Sequence, residues 1–212
     1  MKKPSRIRGK RARLPAPTAS EGRKPDRRVL RSRSALFSAA VRLVSERETT
    51  AISVTELADA ANVSRQLVYL QFGDLDALLI AAAVDLVTRE LIPKLEGAGP
   101  EVRSLILATT RHFGQHRSFY RAMLTGSCAF AMARTMSASF GALTRQAARG
   151  HFGSLDSRTE GDLAVLLAAG VNAIVNNWLI DGAEPLVPEE LAERLTRVSA
   201  VLARSRGRGN RG

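Results

Sequence analysis

Cysteine is nearly absent: Cys128 stands alone in 212 residues. No internal disulfide is therefore possible, and the chain suits a reducing compartment. Aromatic residues make up only 5% of the chain, which removes many of the side chains that favour strands. Ala and Leu dominate instead, in runs such as LLIAAAVDL and LAVLLAAGV, and these favour helix, so the expected fold is all-α. No apolar run reaches the roughly 20 residues needed to span a bilayer. The start is basic and Pro-rich without a hydrophobic segment, so a soluble, cytoplasmic protein with no membrane partner is expected. Catalytic signatures are missing too: Cys128 lies among small residues, His151 is isolated, and no phosphate-cradling Gly motif or strand–helix alternation is present. Neither an enzyme nor a cofactor is expected. His112 and His116, four apart, could share a metal ion, but no Cys or carboxylate lies at ligand spacing in the sequence. The pair reads as wet or capping histidines, with no metal site expected.

What the chain has in excess is positive charge, and its placement matters more than its total. Residues 1–33 hold 13 Lys+Arg against 2 Asp+Glu, net +11, and Arg204, Arg206, Arg208 and Arg211 add +4. Of the overall +12, this leaves −3 for residues 34–203. A near-neutral body between basic ends suits a polyanionic partner, although basic ends also serve solubility alone. With 45% hydrophobic residues, the body has ample material for a core.

Residues 1–25 offer almost nothing to bury and read as a flexible basic arm. A helix is expected from about Asp26 to Glu46, with Phe37, Ala40, Val41 and Val44 repeating at spacings of three and four and Leu36 widening that face. Ser53 and Glu56 form a capping box for a short second helix whose inner face is Leu57, Ala58 and Ala61. Asn62 suits the left-handed position of a sharp turn, Val63 plugs the angle, and Ser64 caps a third helix, Arg65 to Phe72. Val68 and Phe72, four apart, point inward. Arg65, Gln66, Leu67, Tyr69, Leu70 and Gln71 are left for solvent or a partner. The stretch is a helix-turn-helix within residues 26–74.

Beyond Gly73 and Asp74, a long apolar helix from Leu75 to about Leu95 is expected to end near Pro93. Further helices follow at Glu101–His116, Ser118–Leu124 and Cys128–Gly150. A second capping box, Ser157 with Glu160, opens a helix to Ile180, Asp181 and Gly182 end it, and Pro188 suits the first turn of a last helix, Glu189–Arg204. Residues 75–205 form the second domain and 206–212 a basic tail.

From Ala35 to Leu79 the chain resembles the TetR family of bacterial transcriptional regulators. The resemblance is carried by Val54 with Leu57-Ala58, the Ala61-Asn62-Val63-Ser64 turn, and Tyr69 and Phe72 before a loop and long helix. A more diffuse likeness continues in SFYRAMLTG, Ser118 to Gly126, and in WLIDGAEPLVPEELAERL, Trp178 to Leu195. Several positions depart from the family pattern. Phe37 is slightly out of register, Glu48 and Thr49 replace a usual Gly and aromatic, Leu70 replaces a polar or aromatic group, and Leu75 stands where a phosphate-touching Lys is common.

The resemblance implies a DNA-binding transcriptional regulator, most typically a repressor released by a small-molecule effector. Alternatives are an effector-independent DNA-binding protein, or a helical small-molecule-binding protein or enzyme. Its partners would be a palindromic double-stranded operator, an effector and a second copy of itself. The third helix supplies chemistry that fits the major groove: Arg65 for guanine or phosphate, Gln66 or Gln71 for adenine, Leu67 or Leu70 for a thymine methyl. Tyr69 resembles the family's phosphate-contacting tyrosine, and Ser53, Thr55 and Ser64 offer hydroxyls and helix N-termini to the backbone. In the second domain, Phe113, His116, Tyr120, Met123, Asn172, Asn176 and Trp178 are candidate effector-lining residues. Ala164, Leu167, Ala168, Val171 and Val175, with Leu191, Leu195, Val198 and Leu202, are expected to pair with their two-fold mates in a four-helix interface.

Overall fold

The computed structural model describes residues 27–99, 101–140 and 156–208, and among them every regular element is helical. The expected arm, the C-terminal half of the Cys128–Gly150 helix and His151 lie outside these residues. α1 (Arg27–Arg47) buries Leu36, Phe37, Ala39, Ala40, Leu43 and Val44 along one side. α2 (Val54–Ala60) and α3 (Arg65–Phe72) are short, and each begins on a serine cap. α4 (Leu75–Leu86) starts on Asp74, whose carboxylate accepts the Ala77 N–H at 2.7 Å.

The long helix does not stop near Pro93. After α4 the ladder opens into a π-helical turn, Val87–Leu91, in which Ile92 N–H reaches the Val87 carbonyl, and it continues as α5 (Ile92–Gly97). A proline inside an α-helix removes one N–H and crowds the carbonyl four residues back. Here that carbonyl belongs to Arg89, within the widened turn, so the helix passes the proline instead of ending.

α6 (Val102–Gln115), α7 (Arg117–Thr125), α8 (Ala129–Ser139), α9 (Ser157–Asp181) and α10 (Pro188–Arg208) complete the body. α9 is capped one residue earlier than expected. Asp156, not Ser157, accepts the N–H groups of Arg158 and Thr159, and Glu160 is buried rather than turned back to the cap. An ionised Asp places full negative charge at the positive end of the helix, which a serine hydroxyl does not. α10 begins on Pro188, as expected.

The first three helices and the body share one continuous core. α1 packs on both α4 and α7, and α6 lies along α10. Phe119, Tyr120 and Met123 from α7 are fully buried within the same cluster as Leu36, Leu57 and Val68 of the first three helices. Contact is closest at Gly126, where a Cβ would strike Thr50 and come within 2.9 Å of the Ala122 carbonyl oxygen. Arg117 fastens the far end of α9: its guanidinium donates to the carbonyls of Leu179 at 2.9 Å and Gly182 at 2.6 Å, and pairs with Glu184. These carbonyls lie at a helix C-terminus, where no intrahelical donor reaches them.

Candidate functional site

The angle between α2 and α3 is set by three backbone features. Asn62 adopts φ +52°, Val63 N–H reaches back to the Ala58 carbonyl at 2.9 Å, and Ala61 N–H bonds to Leu57 at 3.0 Å. At the α2 start, Ser53 Oγ accepts the Glu56 N–H at 3.1 Å while Glu56 accepts the Ser53 N–H at 3.2 Å, closing the expected capping box. Those bonds, together with the Arg47 guanidinium, hold the Glu56 carboxyl below its ordinary range. Below α3, Phe37 and Phe72 meet edge to face at 5.6 Å, and Arg33 lies over both rings at 5.4 and 5.1 Å. The out-of-register Phe37 is thus a buried support for the third helix.

On this mount α3 presents Arg65, Gln66, Tyr69 and Leu70 outward, with Leu70 the most exposed at 81%. Leu67 and Gln71, expected on the same outer face, are partly buried. Both line a groove of about 640 Å³ between α3, α2 and the start of α1, and Gln71 Oε1 is buried without a hydrogen-bond partner. The reason is helical periodicity: Leu67 and Gln71, four apart, share a flank that faces α1 rather than solvent. Thr55 and Arg65 are brought together, Arg65 Nη1 donating to Thr55 Oγ1 at 3.4 Å. Ser53 and Ser64 are exposed, but their hydroxyls serve the helix caps.

Arg28, Val29 and Ser32 also line the groove, opposite Ser64 and Leu67. Sequence reasoning placed the basic first turn of α1 beside a flexible arm and did not connect it to α3. Its recurrent arginines, Arg27, Arg28, Arg31 and Arg33, were the available signal.

In the body, the candidate effector-lining residues lie on or at the ends of α6, α7 and α9. Phe113 and Tyr120 meet with tilted rings, centroids 4.7 Å apart, and His116 joins them at 6.4 Å from Tyr120. Met123 is buried beside Cys128, Asn172 donates to Ser137 Oγ at 3.0 Å, and Asn176 is half-buried on α9. Trp178 packs over Gly114 and also lines a separate small pocket of about 270 Å³ with Ile174, Asn177, Asp181, Gly182 and Arg194.

The histidine pair divides: His116 stands partly exposed at the cap position between α6 and α7, without a side-chain cap hydrogen bond, and His112 is neither wet nor capping. His112 is fully buried, and its Nε2 lies 2.9 Å from the Tyr120 hydroxyl. Burial drives its pKa down to about 4, with His116 adding to the effect, so the ring is neutral. His116 Nε2 meets Glu90 Oε2 at 2.7 Å. Burial opposes ionisation of Glu90, but the hydrogen bond and charge of His116 outweigh it and hold the carboxyl below its ordinary range. The carboxylate judged missing from the sequence is Glu90, 26 positions before His116 and delivered by the π-helical turn.

The expected interface residues divide. Ala164, Ala168, Val175, Leu191 and Leu195 are buried within the protomer itself, because α9 packs on α7 and α8 and α10 on α6. Leu167 and Leu202 are half-buried, and Val171 and Val198 are exposed. Sequence periodicity located the apolar stripes, but three of the five α9 positions and two of the four on α10 serve the chain's own core. Other apolar residues remain outside: Val165, Leu166, Ala169, Gly170 and Ala173 on α9, and Val198 and Val201 on α10. α9 is also long and apolar enough to cross a membrane by length and composition, which the search for uninterrupted apolar runs had not suggested.

Two solved structures from Rhodococcus share this fold. One, described as a TetR-family transcriptional regulator, superposes with a TM-score of 0.58 at 22% identity, covering 82% of this chain and 99% of its own. The other, described as a transcriptional regulator from Rhodococcus sp. RHA1, gives 0.55 at 17% identity, covering 80% and 96%. No curated protein matches the sequence. The family model for the bacterial regulatory proteins of the tetR family matches residues 36–82, the segment that runs from the core of α1 through the turn and α3 into α4. By that segment the chain carries the helix-turn-helix head of the bacterial regulatory proteins of the tetR family, and the rest of it shares their helical fold.

Proposed function

We propose that this regulator is a homodimeric repressor that places one α3 in each of two successive major grooves of a palindromic operator and is released by an effector bound in the body. The observation that carries the DNA-reading part is the outward set on α3. Arg65, Gln66, Tyr69 and Leu70 stand exposed on a short, capped helix whose underside is braced by Phe37, Phe72 and Arg33. Arg65 and Gln66 read base edges, Leu70 meets a thymine methyl, and Tyr69 meets a phosphate. Leu67 and Gln71 act from the flank of the helix, beside the groove. Arg28, across that groove, and the basic residues before it supply phosphate contacts that Leu75 cannot. Ser53, Thr55 and Ser64 set register at the backbone.

Dimerisation is supported by the apolar face of α9 with Val198 and Val201 of α10. A second copy would cover this face, leaving a protein that works in the cytoplasm without enzymatic activity. Two-fold pairing there joins four helices and sets the separation of the two α3 helices. An effector acts only through its preference for the non-DNA form, so release requires differential affinity.

The test is selection of bound DNA from a random pool by the full chain, followed by anisotropy titration of Arg65→Ala and Gln66→Ala on the selected site. Loss of about 1–3 kcal/mol by either variant, with relaxed preference at one base pair of each half-site, is expected. Equal loss on every sequence would make these side chains phosphate contacts. Unchanged affinity in both would overturn the assignment of α3 as the reading helix.

A further inference from the structure

We propose that Glu90, His112 and His116 form a binding site for one divalent transition-metal ion, with Zn²⁺ the best match, between the π-helical turn and α6. One ligand atom from each of the three residues lies within 4.8 Å of the others. Ligands held about 2.1 Å from one zinc ion sit roughly 3–4 Å apart, so the set is completed when the ion displaces the proton between His116 and Glu90, that pair opens from 2.7 Å, and His112 closes by an ångström or so. The donors are two imidazoles and one carboxylate, a combination common to zinc and to other late first-row metals.

Two observations distinguish this cluster from an ion pair beside a core histidine. The first is His112 Nδ1, which is buried and has no hydrogen-bond partner, although the residue is wholly inaccessible. A buried polar atom left without a partner is costly, and nothing in the His116–Glu90 pair relieves it. In the tautomer whose Nε2–H donates to the Tyr120 hydroxyl, 2.9 Å away, the neutral ring keeps its lone pair on Nδ1. An ion takes that lone pair, while Tyr120 fixes the tautomer and the ring plane from outside, as outer partners of metal-bound histidines commonly do. The second is the π-helical turn itself. It inserts one residue into the ladder and brings Glu90 onto the side of the long helix that meets α6. His112 and His116 stand one turn apart, so both project toward the same carboxylate.

The surroundings suit a partly closed site. Phe113 and Tyr120 pack against the histidine rings, whereas the Glu90 and His116 side chains remain 32% and 18% exposed and give an ion a way in. Bound there, the ion ties the helix that leaves the DNA-reading segment to α6. The inference stands on the cluster itself and does not depend on the operator or effector.

The experiment uses the untagged chain, in which His151 and Cys128 are the only other histidine and cysteine. Zn²⁺ titrated against a chromophoric chelator should fill one site per chain, and Glu90→Gln and His116→Ala should each weaken binding at least 10-fold. Tyr120→Phe, a change to a positioning residue, should weaken it by a similar factor without abolishing it. Zn²⁺ should raise the melting temperature of the wild type but not of Glu90→Gln. Co²⁺ should give visible d–d bands in the wild type, a readout that needs no variant to fold. Failure to bind Zn²⁺ stoichiometrically, Zn²⁺ affinity unchanged in both ligand variants, or a wild type lacking both the Co²⁺ bands and the thermal shift would each overturn the proposal.

Discussion

If the proposed dimer closes on the outer face of α9, Leu166→Glu should leave the protein monomeric. Five large apolar side chains on the outer face are 43% to 69% exposed in the protomer: Val165, Leu166, Val171, Val198 and Val201. Fully burying a Val or Leu contributes about 1.5–3 kcal/mol, so the area still open on each is worth roughly 1–2 kcal/mol. Two-fold symmetry presents the set twice, giving a gross gain of roughly 10–20 kcal/mol, against association costs of about 4–15 kcal/mol. Such an interface holds only if most of its apolar contacts are kept. Leu166 is 67% exposed, and Glu there removes about 1–2 kcal/mol from each copy while placing a carboxylate in a closing apolar face. The loss for the dimer is at least about 4 kcal/mol, or roughly 10³-fold in dissociation constant. Sedimentation equilibrium over a range of concentrations reads this directly, with far-UV circular dichroism showing that the helices are intact. A Leu166→Glu protein as dimeric as the wild type would refute the assignment of this face.

Three further predictions concern the fold that carries the site. Arg117→Ala strips donors from the Leu179 and Gly182 carbonyls at the end of α9; at about 1.5–3 kcal/mol for hydrogen bonds from a charged group, chemical denaturation should show a clear loss, and a change within error would mean that water replaces the arginine. Gly126→Ala drives a methyl into Thr50 and the Ala122 carbonyl, so a destabilisation of about 1–3 kcal/mol is expected, and a melting temperature equal to the wild type would show that the contact yields freely. The third is pH-dependent: Glu56 has a depressed pKa in the folded state, from the Ser53 N–H first and Arg47 next. Its contribution is present above the unfolded value near 4.5 and is lost as pH falls through the lower folded value. The wild-type advantage over Glu56→Gln, measured by denaturation across the acid range, should therefore shrink as pH drops; an advantage independent of pH would place it outside the capping box.

The helix-turn-helix was legible in the sequence because its determinants are local. A serine cap, a glutamate three residues on, an asparagine at a left-handed turn and apolar residues three and four apart all act within a few residues of one another. For the same reason Ser53, Asn62, Ser64, Val68 and Phe72 occupy their expected places. What lay beyond the sequence was which side of each apolar stripe meets another part of the same chain. Ala164, Ala168, Leu191 and Leu195 have the right spacing for an interface, yet α7, α8 and α6 cover them, and periodicity cannot distinguish burial by a neighbour from burial by a partner. Leu67 and Gln71 turned inward for a related reason: the start of α1, about 40 residues away, closes that flank of α3.

Glu90 shows the limit most plainly. Sequence spacing put His112 and His116 on one face and left them without a carboxylate. The missing group comes from another helix, brought round by a π-helical turn that no local pattern announced. Hydrogen bonds and periodicity within a dozen residues therefore specified the helices, their caps and the DNA-reading turn. Only packing between distant segments decided which apolar faces stay open and which polar groups converge, because those outcomes depend on the angle and register at which whole helices meet.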